Sequence, residues 1–95
     1  MVIELATFHI TQGQETAFHR AYLAARPHLA QSPGCRRADL RRVQEDASTF
    51  VLLVEWERIE DHLDGFRTSN AYIEWRRLLS PFFAVDPTVV HLIEP

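Results

Sequence analysis

The stretch TFVLLVEWE at residues 49–57 constrains this chain more than any other. It alternates as a strand does, with Phe50, Leu52, Val54 and Trp56 on one side and Val51 and Leu53 on the other. Both sides are apolar, so both must be covered. A chain of 95 residues makes one domain, residues 1–95, with no second core to supply the cover. Helices can shield one face of such a strand. A second copy of the chain is the simplest cover for the other, and the pattern therefore predicts a homodimer.

The other elements follow from periodicity. Residues 2–10, VIELATFHI, read as a strand rich in β-branched and aromatic side chains. Thr11 and Gln14 have the spacing of a capping box, with Gly13 marking the turn. Phe18, Ala21, Tyr22, Ala25 and Leu29 then recur at helical spacing. Pro27 falls inside that stripe and is expected to kink or shorten the helix, because it donates no hydrogen bond and crowds the preceding turn. Ser32-Pro33-Gly34 stops it.

Residues 35–44 form a basic strand holding Arg36, Arg37, Arg41 and Arg42, charges that guard a strand edge. A polar loop at residues 45–48 leads to the strand at 49–57. Ile59, His62, Leu63 and Phe66 share one face of a short helix that Gly65 and Thr68-Ser69 interrupt. Tyr72, Trp75, Leu78 and Leu79 share a face of another, capped near Ser69 and closed by Pro81. Residues 88–93 make the last strand. The order β-α-β-β-α-β, with the second helix broken, predicts an α+β ferredoxin-like subunit with a four-stranded antiparallel sheet.

Composition removes several function classes. The net charge of −3 is too small to imply a nucleic-acid or membrane partner by bulk electrostatics. All ten basic residues are arginine, so a lysine Schiff base and a Walker-type phosphate loop are both excluded. The glycines are Gly13, Gly34 and Gly65 alone, which leaves no glycine-rich turn for a dinucleotide or flavin. Cys35 is the single cysteine, and no two histidines have metal-ligand spacing. No cofactor and no metal are expected, and Cys35 reads as inert packing. No apolar run approaches a membrane span, and the expected location is cytoplasmic.

The run Val54-Glu55-Trp56-Glu57-Arg58-Ile59-Glu60-Asp61-His62 is joined by Phe66-Arg67-Thr68-Ser69, Tyr72, Trp75-Arg76, Leu78-Leu79 and Pro81-Phe82-Phe83. With Pro87-Thr88-Val89, His91 and the Pro33-Gly34-Cys35 turn, the chain resembles the antibiotic biosynthesis monooxygenase family over essentially its whole length. The resemblance implies a dimeric α+β barrel of ferredoxin-like subunits. The family it resembles includes cofactor-independent quinone-forming oxygenases, haem-degrading enzymes and many members of unknown role. The haem-degrading pattern has an asparagine on the first strand, a tryptophan three residues before the serine of the helix break and a histidine in the last helix. Here the first strand has no asparagine, Phe66 precedes Ser69, and Trp75 stands near the place of the histidine. The quinone-forming branch is the expectation.

Phe66, Tyr72, Trp75, Phe82 and Phe83 fall in the second half, and Phe8, Phe18, Phe50 and Trp56 can reach the same interior. Any one of them could be plain core. Polar company on the same faces points instead to a pocket: His62 lies one turn before Phe66, and His91 alternates with Val89 and Ile93. His9 alternates with Thr7 and Leu5 and is placed with the substrate-binding residues, against the plain reading of a hydrogen-bonded core histidine. Histidine can take a phenolic proton near neutral pH, the step a cofactor-free oxygenase needs.

His62 is the first candidate base and His91 the second, with Phe66, Tyr72, Trp75 and Phe82 shaping the pocket. Arg76 can hold a developing anion, whereas Arg67 reads as a solvated helix residue. The expected function is cofactor-independent oxidation of a small aromatic or quinol substrate by O2. The alternatives are a non-catalytic ligand-binding or regulatory dimer on the same cavity, and a ring isomerase or dechlorinase-like activity of the kind the resemblance allows.

Overall fold

A computed structural model describes residues 1–95. Strand β1 (Val2–His9) is followed by helix α1 (Glu15–Ala30), strands β2 (Cys35–Arg42) and β3 (Thr49–Trp56), and helix α2 (Asn70–Leu79). Strand β4 (Thr88–Leu92) closes the chain. The strands form one sheet in the order β2-β3-β1-β4, antiparallel at each of its three pairings. This is the ferredoxin-like arrangement that the element order predicts.

Alternation decides which face each side chain takes. Glu4, Ala6 and Phe8 of β1 point inward with Leu52, Val54 and Trp56 of β3, and all are buried. Phe18, Tyr22, Ala25 and Leu29 of α1, with Trp75 and Leu79 of α2, cover that face. Phe18 sits at its centre, 5.7 Å from Phe8 and 4.9 Å from Phe50 between ring centroids, within the range favoured by aromatic pairs.

Three local expectations are corrected. The capping box does not form: the Gln14 side chain makes no cap bond, and the Gly13 N–H donates to the Glu15 carboxylate instead. Gly13 has φ +91°, a conformation that takes the chain into α1 at no side-chain cost. Pro27 does not end α1, which runs three residues past it. The bond it cannot donate would go to the carbonyl of Leu23, whose side chain is 57% exposed, so the loss falls on the solvent side.

Ile59 is exposed rather than packed with His62 and Phe66. The chain opens there into a π turn over Asp61–Gly65, in which the Phe66 N–H donates to the carbonyl of Asp61, before a 3₁₀ turn over Phe66–Thr68. The wider turn takes a residue three places before His62 off its face.

The other face of the sheet is apolar at its centre. Leu5 stands opposite Leu53 on one side and Val90 on the other, and Ile3 opposite Leu92. Val90 and Leu92 are 51% and 44% exposed, and no element of this chain lies over them. No helix is long and apolar enough to cross a membrane.

Candidate active site

Ser69 begins the site. Its hydroxyl donates to the Phe66 carbonyl at 2.6 Å and accepts the Tyr72 N–H at 3.2 Å, which closes the 3₁₀ turn and starts α2 in one place. Phe66, Tyr72 and Trp75 are thereby brought edge to face, with Phe66 5.3 Å from Tyr72 and 6.0 Å from Trp75. Between these rings and the inner face of the sheet lies a cavity of about 310 Å³. That volume is at the lower end of small-molecule sites, which span roughly 300–1,000 Å³.

One wall of the cavity carries a buried polar chain. Glu4 projects inward from β1, and its Oε1 accepts the Trp56 indole N–H at 3.0 Å. The same oxygen lies 3.3 Å from Nε2 of His62, and Nδ1 of His62 lies 2.8 Å from Nε2 of His91. The His62 ring also stacks on Trp56, with centroids 5.3 Å apart and an interplanar angle of 14°. Glu4 and His62 are 6% and 3% exposed, while His91 is half-buried.

Burial governs the charges here. It pushes Glu4 above the usual carboxylate range, against the Trp56 hydrogen bond and the positive charge of Arg67. It also lowers His62 to about 4, helped by Arg67 and His91. His91 is lowered in the same way, first by burial and then by Arg67. His62 is therefore uncharged at neutral pH, and its 3.3 Å approach to Glu4 is a polar contact rather than an ion pair. No three His, Cys, Asp or Glu side chains converge as metal ligands do.

Of the residues singled out in the sequence, His62, Phe66, Tyr72, Trp75 and Arg76 line this cavity. His91 stands behind His62, bonded to it but not lining. Phe82 turns toward Phe18 at 6.3 Å, and its neighbour Phe83 takes the expected place in the wall. Phe83 stacks on Phe8 at 5.4 Å, and the Arg76 guanidinium lies 5.7 Å from its ring centroid. His9 is exposed on the opposite face, where its ring bonds Thr49 Oγ1 at 3.2 Å. Strand alternation sends Leu5, Thr7 and His9 away from the side that holds Glu4 and Phe8.

Arg67 was expected on a solvated helix face, and it does reach solvent, yet it also lines the cavity mouth. Neither Arg67 nor Arg76 forms an ion pair within the chain. Reading the sequence missed Glu4. The signal was present: a carboxylate at an inward position between Val2 and Ala6 is out of place unless a buried partner awaits it. Cys35 is half-buried, and burial pushes its thiol up, which keeps it unreactive.

Comparison with known proteins places the chain by family and fold. Residues 1–78 match the antibiotic biosynthesis monooxygenase family. The Bacillus subtilis protein YczJ is 42% identical over 91 residues, covering 96% of both chains. A crystal structure from Bordetella bronchiseptica, of a protein named for the same family, superposes with a TM-score of 0.95 at 32% identity, over 99% of this chain and 96% of that one. SnoaB, a cofactor-independent oxygenase from Streptomyces nogalater, shares the fold with a TM-score of 0.83 at 14% identity, over 98% and 91%. With the family matched across most of its length and a relative at this identity, the chain belongs to the antibiotic biosynthesis monooxygenase family.

Proposed function

We propose that this protein is a cofactor-independent monooxygenase acting on a small hydroxylated aromatic or quinol-type substrate. The observation that carries this reading is a buried Glu–His–His chain set into the wall of an aromatic cavity. Loss of a proton turns such a substrate into an electron-rich oxyanion, which can pass one electron to O2. Recombination of the radical pair forms a carbon–oxygen bond. Loss of water then leaves a quinone, with one oxygen atom in the new carbonyl and the other in the water.

The chain's part is to hold the ring, take the proton and keep water out. Phe66, Tyr72, Trp75 and Phe83 hold the ring, and Arg76 and Arg67 face the charge that develops on its oxygen. The polar group centred on His62 handles the proton. A second copy of the chain covers the apolar outer face of the sheet, and the working form is a homodimer.

The test is oxygen uptake by metal-stripped protein with a panel of anthrones, naphthols and hydroquinones, beside a blank and the His62→Ala variant. Uptake above the blank that vanishes in the variant is expected. Uptake at blank level for every compound, together with a rise in melting temperature on adding one of them, would overturn this reading in favour of a ligand-binding dimer.

A further inference from the structure

Both ring nitrogens of His62 face protein groups: Nδ1 is hydrogen-bonded to His91, and Nε2 lies 3.3 Å from the Glu4 carboxylate. Neither is left to meet a substrate in the cavity. Glu4 differs. Its Oε1 accepts from Trp56 and faces His62, but its Oε2 accepts no hydrogen bond from the protein and is open to solvent. Glu4 itself lines the cavity. The opposite end of the chain, His91, lies on edge strand β4 and is half-buried. A line of polar contacts, 3.3 Å from Glu4 to His62 and a 2.8 Å hydrogen bond from His62 to His91, thus runs from the cavity through the wall to the edge of the sheet.

We propose that Glu4 is the catalytic residue that takes the substrate's hydroxyl proton, on Oε2, and that His62 and His91 conduct a proton from Oε1 to solvent. The inference rests on the oxygenase reading for the identity of the substrate, though not for the relay itself.

In the uncharged chain Glu4 holds its proton on Oε1 toward Nε2 of His62, and each imidazole carries its proton on Nδ1. The substrate O–H bond breaks and an O–H bond forms at Oε2, leaving the electron pair on the substrate as an oxyanion. The Oε1 proton passes to Nε2 of His62, the Nδ1 proton of His62 to Nε2 of His91, and the Nδ1 proton of His91 to water. One proton leaves for each hydroxyl ionised, and no electron enters or leaves the chain. When the second oxygen atom of O2 departs as water, a proton entering at His91 runs the route in reverse and restores the starting tautomers.

Each part of the geometry has a use in this scheme. Trp56 holds Glu4 by its N–H and His62 by its ring face, so the carboxyl and the imidazole cannot turn apart. Burial favours the uncharged form of Glu4 and of both histidines, which lets protons move without stranding a charge in the wall. Arg67, the charged group common to all three environments, lies at the cavity mouth, where the substrate's oxyanion would be held.

Two measurements test the relay. In the ligand-free protein, imidazole nitrogen NMR at neutral pH should show one tautomer each for His62 and His91, and Glu4→Gln should change both together while leaving exposed His19 as it was. A His91 signal indifferent to Glu4→Gln would overturn the relay. In the second measurement 4-nitrocatechol is the probe, held about one pH unit below its own pKa so that the free probe is mostly un-ionised, its ionisation read by colour and its proton by a pH indicator. The protein should ionise it with release of about one proton. Glu4→Gln should bind it un-ionised, and His91→Gln should ionise it with release slowed at least tenfold.

Ionisation undiminished in Glu4→Gln would overturn the assignment. Ionisation with release, but no oxygen uptake with any quinol, would keep the relay and overturn the oxygenase. Oxygen uptake undiminished in Glu4→Gln would do the reverse.

Discussion

Glu4 and His91 are directly opposed residues of β1 and β4, and both turn toward His62, which lies between their side chains at 3.3 Å from one and 2.8 Å from the other. Two adjacent strands thus grip one imidazole from the π turn. Replacing that imidazole by a methyl group removes the middle of the chain and leaves Glu4 with Trp56 as its only partner. His62→Ala should lower turnover by about 10²–10⁴-fold, the usual contribution of a general acid–base group, with the dimer intact. Oxygen uptake with the best quinol, read beside a sedimentation profile, checks both halves.

Acid should destabilise the fold through His62. Its folded value of about 4 lies below the ordinary 6.5, so between those pH values the unfolded chain binds a proton that the folded chain does not. Stability therefore falls as pH drops from about 6.5 to about 4, and His91, lowered in the same direction, adds to the fall. Glu4 acts with the opposite sign: its folded value is raised above 4.5, so its contribution is present below 4.5 and is lost as pH rises through the folded value. Calorimetric melting across this range should show the fall in the native protein and a flatter profile in His62→Phe.

Arg76 reaches the cavity without an ion-pair partner, its guanidinium over Phe83. Arg76→Ala should weaken binding of the ionised ring by about tenfold, in line with a desolvated cation near an aromatic face. The change should fall mainly on KM for an acidic quinol and little on KM for a weakly acidic one. Steady-state kinetics with such a pair of substrates distinguishes this from a general loss of fold.

The outer sheet face offers a direct test of the dimer. Leu53 sits near its middle, opposite Leu5 and Asp39. Leu53→Arg should give a folded monomer, because the new charge is solvated in one copy and stranded between two. Equilibrium sedimentation should show a dimer for the native chain and half that mass for the variant.

Gly34 has φ +85°, and a Cβ there would collide with the Asp61 carboxylate, which itself accepts the Arg58 N–H at the start of the π turn. The Gly34 carbonyl accepts from the Glu57 N–H at 2.9 Å, tying the β2 turn to the end of β3. Gly34→Ala should cost about 1–3 kcal/mol by backbone strain and displace the turn that carries His62. Chemical denaturation measures the first, and the His62 imidazole signal the second.

Much of the fold is legible in the residues. The two-sided run of β3, the stripe of α1 and the Ser69 cap each follow from spacing that only one backbone geometry satisfies. The site was legible in part, since Phe66, Tyr72, Trp75 and His62 stand at helical intervals that put them on one wall. Phe82 and Phe83 could not be told apart, because the segment after α2 has no period to assign a face. Pro27 misled for a local reason, since its penalty depends on whether the orphaned carbonyl meets water.

What the sequence determined by itself is therefore the set of elements, their order and the face each apolar residue prefers, because these depend on neighbours three or four places away. The tertiary structure alone decided that Glu4, His62 and His91, from positions spread across the whole chain, come together in one line of polar contacts. It also decided that His9, the histidine closest in sequence to Glu4, is excluded from it. Strand register and the wide turn at Asp61–Gly65 set those distances, and both arise from packing of the whole sheet against its helices.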